Sequence, residues 1–590
     1  MGSIPFQGGV TFRVWAPHAT SVFVSGDFNS WLQTASPLVL EGNGVWSGDV
    51  TGAVVGQSYR YVINRSGAPT VTKRDPYSRV VTDSNYNTGN SLIYDPNAFA
   101  WDRPAFARPA LKDLVIYEMH MGTFADAAGG NPGTFASAVT RLDAVSNLGF
   151  NAVEILPVTE FISNFSSGYN PADQLSIENQ GYGGPDGLKG FVRACHDRGL
   201  AVIVDIVHNH WGPWDLSTNQ FDGWSSTDYP GGIYFYDAAR WNSPWGPRPN
   251  YSDAMVRQYI LDQVTMWTNE YRVDGFRWDS TSNIYNTNSG TGLDLPDGWS
   301  LLQAANAAVK QSSPGSYTIA EDLLNNATLT APVAAGGAGF DAQWHYFAST
   351  MRGELSKTSD VSVSLANIRN ALTATFNGNY QQRIIYTESH NEVCCDQPRL
   401  TALIDPADPA SWLARKKSML GAAILFTAPG IPMIFQGQEF LESSPFSEYV
   451  PLHWQFATQF AAVRKMYGDL VKLRRNLTGR TAGLAGDSIN VYQVDEASKV
   501  MVFSRFDAAT ASARLIAAAN FSGLPLQSVR VGFPRPGVWT TRFNSDSKMY
   551  GSDFSGAGSV SVTATATPFA GMPYSATVEI GPYSLILLAQ

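Results

Sequence analysis

Cysteine is scarce: three in 590 residues, Cys195, Cys394 and Cys395. So few exclude a disulfide framework. Cys394 and Cys395 are adjacent, too cramped for an ordinary bridge between segments. Charge is thin as well, with 15% charged residues, a net charge of −10 and no basic block. That balance argues against a phosphate-backbone partner, so no nucleic acid is expected. No apolar run reaches the roughly 18 residues of a membrane-spanning helix. The opening "MGSIPFQGGV" has neither the basic nor the apolar region of an export leader. A cytoplasmic protein is the expectation; a trimmed leader, and with it secretion, stays open. No Gly-rich phosphate loop is present, since "GYGG" and "GGAGF" lack that fingerprint.

Hydrophobic residues make up 44% of the chain and aromatics 12%, including 16 Trp and 25 Tyr. This is the composition of a large globular protein with several domains. The rings serve either a large core or platforms that stack on sugars or bases. Residues 1–105 read as all-β: "VTFRVWAP" alternates Val10, Phe12 and Val14 with polar partners, and "VFVSGDFNSW" and "YRYVINRSG" follow between turn residues. Short strands at this spacing predict a sandwich. From about 106 to 476 strands and helices alternate. "LVIYEMHMGTF", "NAVEILPV", "AVIVDIVHNH", "RVDGFRWD", "YTIAED", "RIIYTESH" and "GIPMIFQGQEF" read as strands. Between them lie helical stretches, including one from Phe135 through Val139, Leu142 and Val145, one with Leu188, Phe191, Val192 and Cys195 inward, and one over 456–476. About eight such alternations predict an α/β fold, a (β/α)₈ barrel; a doubly wound sheet is the structural alternative. Residues 477–590 read as a second all-β sandwich.

Four strand ends carry clustered polar residues. "DIVHNH" holds Asp205, Asn209 and His210; "DGFRWD" holds Arg277 and Asp279; "IAED" holds Glu321; "ESHN" holds His390 and Asn391. Residues two apart in a strand share a face, so Arg277 and Asp279 point the same way. An arginine beside a carboxylate keeps it ionised, as a nucleophile requires. Glu321 has no basic neighbour in sequence, and a closed pocket would raise its pKa and make it a proton donor. One ionised and one protonated carboxylate is the pair a retaining glycosidase uses. A lone Asp or Glu at a strand end is usually a cap or an ion-pair partner; four polar ends in order point to chemistry.

With these motifs the barrel resembles the α-amylase family, glycoside hydrolase family 13. "FRVWAP" and "GDFNSW" in front are similar to its glycogen-binding-like module, and "PYSLILL" behind to its closing sandwich. "YEMHMGTF", "GYNP", "YGGPDGLKGFV" and "VHNHWGP" resemble 1,4-α-glucan branching enzymes and malto-oligosyltrehalose trehalohydrolases, over essentially the whole chain. The resemblance implies that Asp279 is the nucleophile, Glu321 the general acid and then base, and Arg277 the group that orients Asp279. It implies that His210 and His390 bond sugar hydroxyls, that Asp205 supports the pocket and that Tyr169 stacks on the sugar. Asn391 departs from the family, which usually has a third aspartate there. That departure puts turnover in question, not binding. The implied substrate is an α-glucan or malto-oligosaccharide, cleaved at α-1,4 links with transfer to a 6-hydroxyl. A malto-oligosaccharide-forming α-amylase is the alternative within the class.

Two readings from other classes compete. His208-x-His210 places two imidazoles on one strand face, where zinc could bind. The histidines that follow in the chain, His345, His390 and His453, form no H-x-x-H or H-x-x-E spacing, so no metal site is expected. Asn209 matches a calcium-ligand position in many α-amylases, but the region after the third strand is too short and irregular for a clear cage. Calcium stays open, and no cofactor is expected. The second competitor is a non-catalytic glucan-binding protein or inactivated variant, favoured by Asn391 and opposed by intact Arg277, Asp279 and Glu321. In the front module Trp31 of "GDFNSW" is either core or a glucan-binding ring. Oligomeric state is not set by the sequence.

Overall fold

A computed structural model describes residues 1–590 except 86, 127–129, 164, 213–215, 229–230 and 510–513. Pro213, the last residue of "VHNHWGP", therefore lies outside the described residues. The chain divides into two compact units, one of 1–108, 120–142 and 154–340, the other of 109–119, 143–153 and 341–590.

In the first unit the chain opens on two small sheets. One has strands Gly2–Phe6, Gly9–Trp15, Val39–Gly42 and Val45–Thr51; the other has Ser21–Gly26, Ser58–Asn64, Val71–Lys73 and Ser91–Leu92. The alternation in "VTFRVW" does what its period requires: Val10, Phe12 and Val14 are buried, while Thr11 and Arg13 face outward. Trp31 is not core; it is 39% exposed and its indole N–H donates to Asp27 at 2.9 Å.

Eight strands close into a barrel in chain order: β1 (Ile116–Met119), β2 (Ala152–Ile155), β3 (Ala201–Ile206), β4 (Gly275–Trp278), β5 (Tyr317–Ala320), β6 (Ala342–Trp344), β7 (Arg383–Ile385) and β8 (Ile431–Phe435). Their residues are buried throughout, as parallel strands covered on both faces must be. In the first unit β3 and β4 pair in parallel with Asp205 opposite Arg277, and β4 and β5 with Arg277 opposite Ile319. That register brings the polar ends of three strands to one level. Helices α1 (Gly184–His196), α2 (Ala254–Asn269) and α3 (Pro296–Ser312) follow the pattern of their apolar stripes, with Leu188, Phe191, Val192 and Cys195 inward on α1.

The structure corrects the sequence reading in places. β6 was not expected; three residues carry too little periodicity to show. The stretch from Phe135 is two short helices, Phe135–Val139 and Leu142–Ser146, and Ala138 rather than Val139 is buried on the stripe. Residues 456–476 likewise break at Phe460 into Gln455–Gln459 and Ala461–Arg474.

In the second unit the chain ends in a six-stranded and a two-stranded antiparallel sheet, running from Ser488–Asp495 to Ser584–Ala589. They share a core of Val500, Val502, Ile516, Trp539, Ile586 and Leu588. Buried apolar side chains of this size contribute roughly 1.5–3 kcal/mol each. No helix among the described residues is long and apolar enough to cross a membrane.

Candidate active site

Arg277, on β4, is the hub of the first unit's strand ends. Its side chain is wholly buried, so its charge must be met locally. Nη1 donates to Asp205 at 2.7 Å and to Asp279 at 2.8 Å, and Nη2 lies 3.3 Å from Glu321. The two-residue period from Arg277 to Asp279 thus delivers the shared face expected of it. Asp205 also accepts from the Tyr169 hydroxyl, and the Tyr169 ring lies 5.7 Å from the Arg277 guanidinium carbon. Burial pushes the Asp205 carboxyl well above its ordinary range, while Arg277 pulls it back.

Asp279 and Glu321 both lie within the span of that one guanidinium. The Asp279 side chain is 14% exposed, open enough to meet a ligand. Its second oxygen accepts from Asn209 Nδ2 at 2.6 Å. Asp279 N donates to the Ile206 carbonyl, and Glu321 N to that of Trp278, so the barrel ladder itself sets both positions. Between them Ser280 adopts φ +41°, a left-handed conformation that a non-glycine residue holds only under constraint. That turn aims the Ser280 N–H at Glu321 Oε2, 2.6 Å away.

Burial raises the Glu321 pKa to about 7, with the Arg277 charge opposing the rise and Asp279 adding to it. The direction agrees with the sequence reading. The sequence, however, showed no basic neighbour for Glu321, and the fold supplies Arg277. A raised pKa keeps the proton on Glu321 below about pH 7 and loses it above. The expected pH profile of kcat/KM therefore has an alkaline limb near 7, and a flat profile over roughly pH 5 to 9 would remove Glu321 as the proton donor.

The histidines are less free than the resemblance implies. His210 Nε2 meets the Tyr169 carbonyl at 2.8 Å and its Nδ1 meets Asn209 Oδ1, so both ring nitrogens have partners in the protein. His208 turns elsewhere: its Nε2 meets Gln263 and its Nδ1 accepts from the Trp278 indole at 3.2 Å. Burial takes the His208 pKa down to about 4. The two imidazoles do not converge on one point, and no group of three or more His, Cys, Asp or Glu among the described residues could hold a metal ion. Asn209 gives its amide nitrogen to Asp279 and its oxygen to His210.

In the second unit β7 ends at Ile385, earlier than the β-branched run suggests. His390 and Asn391 sit instead on a helical turn, α4 (His390–Val393). Ser389 caps it, accepting from Asn391 N at 3.2 Å, while Glu392 Oε2 accepts from Ser389 N at 3.1 Å. Glu392 thus closes the capping box rather than continuing a strand, and burial raises its pKa to about 7. His390 is buried, with Nδ1 2.5 Å from Glu118 Oε1 and its backbone N–H donating to Glu118 Oε2 at 3.2 Å. Asn391 is exposed. Glu388 is turned away to Arg399, 3.1 Å from its Nη1.

Sequence reasoning missed three contributors: Glu118, Asn209 as the partner of Asp279, and Ser280. Glu118 had a signal, an acid inside an otherwise apolar parallel strand, which burial tolerates only when paired.

Residues 119–229 and 235–445 match the family described as "Alpha amylase, catalytic domain". The chain belongs to the α-amylase family. Residues 1–78 match "Carbohydrate-binding module 48 (Isoamylase N-terminal domain)" and residues 492–590 the α-amylase C-terminal all-β domain. This α-amylase-family chain is a glycoside hydrolase or transglycosidase. It is 27% identical to the 1,4-alpha-glucan branching enzyme GlgB of Marinobacter nauticus, across 98% of this chain and 94% of that one. A solved putative alpha amylase from Salmonella typhimurium shares the fold at TM-score 0.74 and 20% identity, covering 100% of this chain and 99% of the other. A pullulanase from Anoxybacillus sp. LM18-11, solved with maltotriose, does so at TM-score 0.77 and 18% identity, covering 100% and 85%.

Proposed function

We propose that the protein is a retaining enzyme that cleaves α-1,4-glucosidic bonds and transfers the freed segment to a 6-hydroxyl of an α-glucan. The observation that carries the retaining cleavage is Arg277, buried, bonded to Asp279 at 2.8 Å and lying 3.3 Å from Glu321. Asp279 attacks the anomeric carbon as Glu321 gives its proton to the leaving oxygen, and a β-glucosyl-enzyme forms. The Glu321 carboxylate then takes the proton of the incoming hydroxyl, whose oxygen displaces Asp279. Two inversions leave the α configuration. NMR of the first-formed anomer should show α; a β product would mean direct attack by water.

Asp205 and Tyr169 hold Arg277 in place, and His390 is the residue we assign to a sugar hydroxyl; His210 would take that role only by exchanging its Tyr169 carbonyl or Asn209 partner for the sugar. Asp279 and Glu321 carry both displacements without a cofactor. The front module would bind the same glucan, with exposed Trp31 one contact. An intracellular store of α-glucan is the substrate we favour, and the cytoplasm the location.

Transfer rather than hydrolysis rests on the full-length similarity to branching enzymes. Incubation with amylose should weaken the iodine colour without a matching gain in reducing ends, and a debranching enzyme should then release short chains. Reducing ends that rise in step with the colour loss would assign hydrolysis instead. A second reading, glucan binding without turnover, is favoured by Asn391 alone.

A further inference from the structure

Cys394 and Cys395 follow α4 directly, and the glucan chemistry uses neither. Their sulfurs lie 3.1 Å apart, about 1 Å beyond bonding distance. Cys395 is exposed and Cys394 partly so, whereas Cys195 is buried. The backbone is constrained here: Cys395 has φ +55° and Asp396 φ +63°, two successive non-glycine residues in the left-handed region. The Cys394 thiol donates to the Asn391 carbonyl at 3.6 Å, which places the pair one turn after the position where the family usually has its third aspartate.

We propose that Cys394 and Cys395 form a reversible oxidation site, converted by a hydroperoxide into a disulfide between neighbouring residues and restored by a dithiol. The exposed Cys395 thiolate attacks one peroxide oxygen; the O–O bond breaks, and the leaving oxygen takes a proton to become water or an alcohol. Cys395 is then a sulfenic acid. The Cys394 sulfur attacks the Cys395 sulfur, the S–O bond breaks, and hydroxide leaves with the Cys394 proton as water. Two thiols lose two electrons and two protons, and the peroxide takes up both. Cys395, the more exposed of the two, meets the peroxide first, while burial, first, and the neighbouring sulfur push the Cys394 thiol up to about 12.

The bond would be a switch and not a staple. Adjacent Cα atoms are about 3.8 Å apart, below the usual span of about 4.4–6.8 Å across a disulfide, so it is readily reduced. Proximity still favours it over further oxidation, because the second sulfur is in place before more peroxide arrives.

The test uses the full chain, hydrogen peroxide and an alkylating agent, read by intact mass and peptide mapping. The expected result is the loss of two hydrogen masses, with Cys394 and Cys395 together protected from alkylation and both recovered after dithiothreitol. Cys395→Ser should abolish the loss, and Cys195→Ser should leave it unchanged. Sulfinic acid at Cys395 with Cys394 still alkylated, a disulfide between two chains, or two thiols untouched by excess peroxide would each overturn the proposal.

Discussion

Asp279→Asn is expected to lower turnover of α-glucan by at least about 10⁴-fold while the protein stays folded. The amide has nearly the carboxylate's shape but no anionic oxygen to form the glucosyl-enzyme. It also presents one acceptor where the site has two donors, Arg277 Nη1 at 2.8 Å and Asn209 Nδ2 at 2.6 Å. One donor is left unpaired, a local cost of roughly 1–3 kcal/mol. A chain with this much buried core absorbs it. Glu321→Gln should cost as much on glucan, for a different reason: the proton donor is gone. A maltosyl fluoride, whose leaving group needs no proton, separates the two. It should restore the first step to the Glu321 variant and leave the Asp279 variant dead. Where the parent is slow, both comparisons are made in the Asn391→Asp background. Near-parental turnover of glucan by the Asp279 variant would end its assignment as nucleophile.

How much of this was legible in the sequence depended on the range of each interaction. Arg277 and Asp279 are two residues apart on one strand, so their pairing follows from strand geometry alone. Glu321 reaches Arg277 only because β4 and β5 are neighbours in register, and the chain between them hides that. The Asn209 bond to Asp279 and the Glu118 bond to His390 need the same tertiary placement. β6 was hidden by its length, since three residues cannot display a period. The helix breaks near Thr140 and at Phe460 lie inside stretches whose apolar spacing continues across them. One miss was avoidable. Ser389-His390-Asn391-Glu392 has the spacing of a capping box, and that signal should have outweighed the β-branched run before it.

Asn391→Asp is expected to raise kcat by about 10²-fold with little change in glucan affinity. The family resemblance implies that an aspartate at this position steadies the positive charge that develops on the sugar carbon. A preorganised group of that kind is worth about 3–4 kcal/mol. The amide matches its shape without its charge, so binding should survive while the chemical step slows. The nearby acids are committed elsewhere. Glu118 is held by His390 at 2.5 Å and Glu388 by Arg399 at 3.1 Å, while Glu392 closes the cap on Ser389. Asp396 lies past the two cysteines, exposed and in the left-handed region. The substitution should leave the local structure intact. The Asn391 backbone N–H, not its side chain, makes the 3.2 Å bond to Ser389, and His390 is fixed independently by Glu118. The measurement is a pair of steady-state profiles on one malto-oligosaccharide together with binding affinity. A rise in kcat at constant affinity would mark this chain as a slowed or trapped form of an active enzyme. Brisk turnover by the chain as it stands, unchanged by the substitution, would mean that another carboxylate has taken the role.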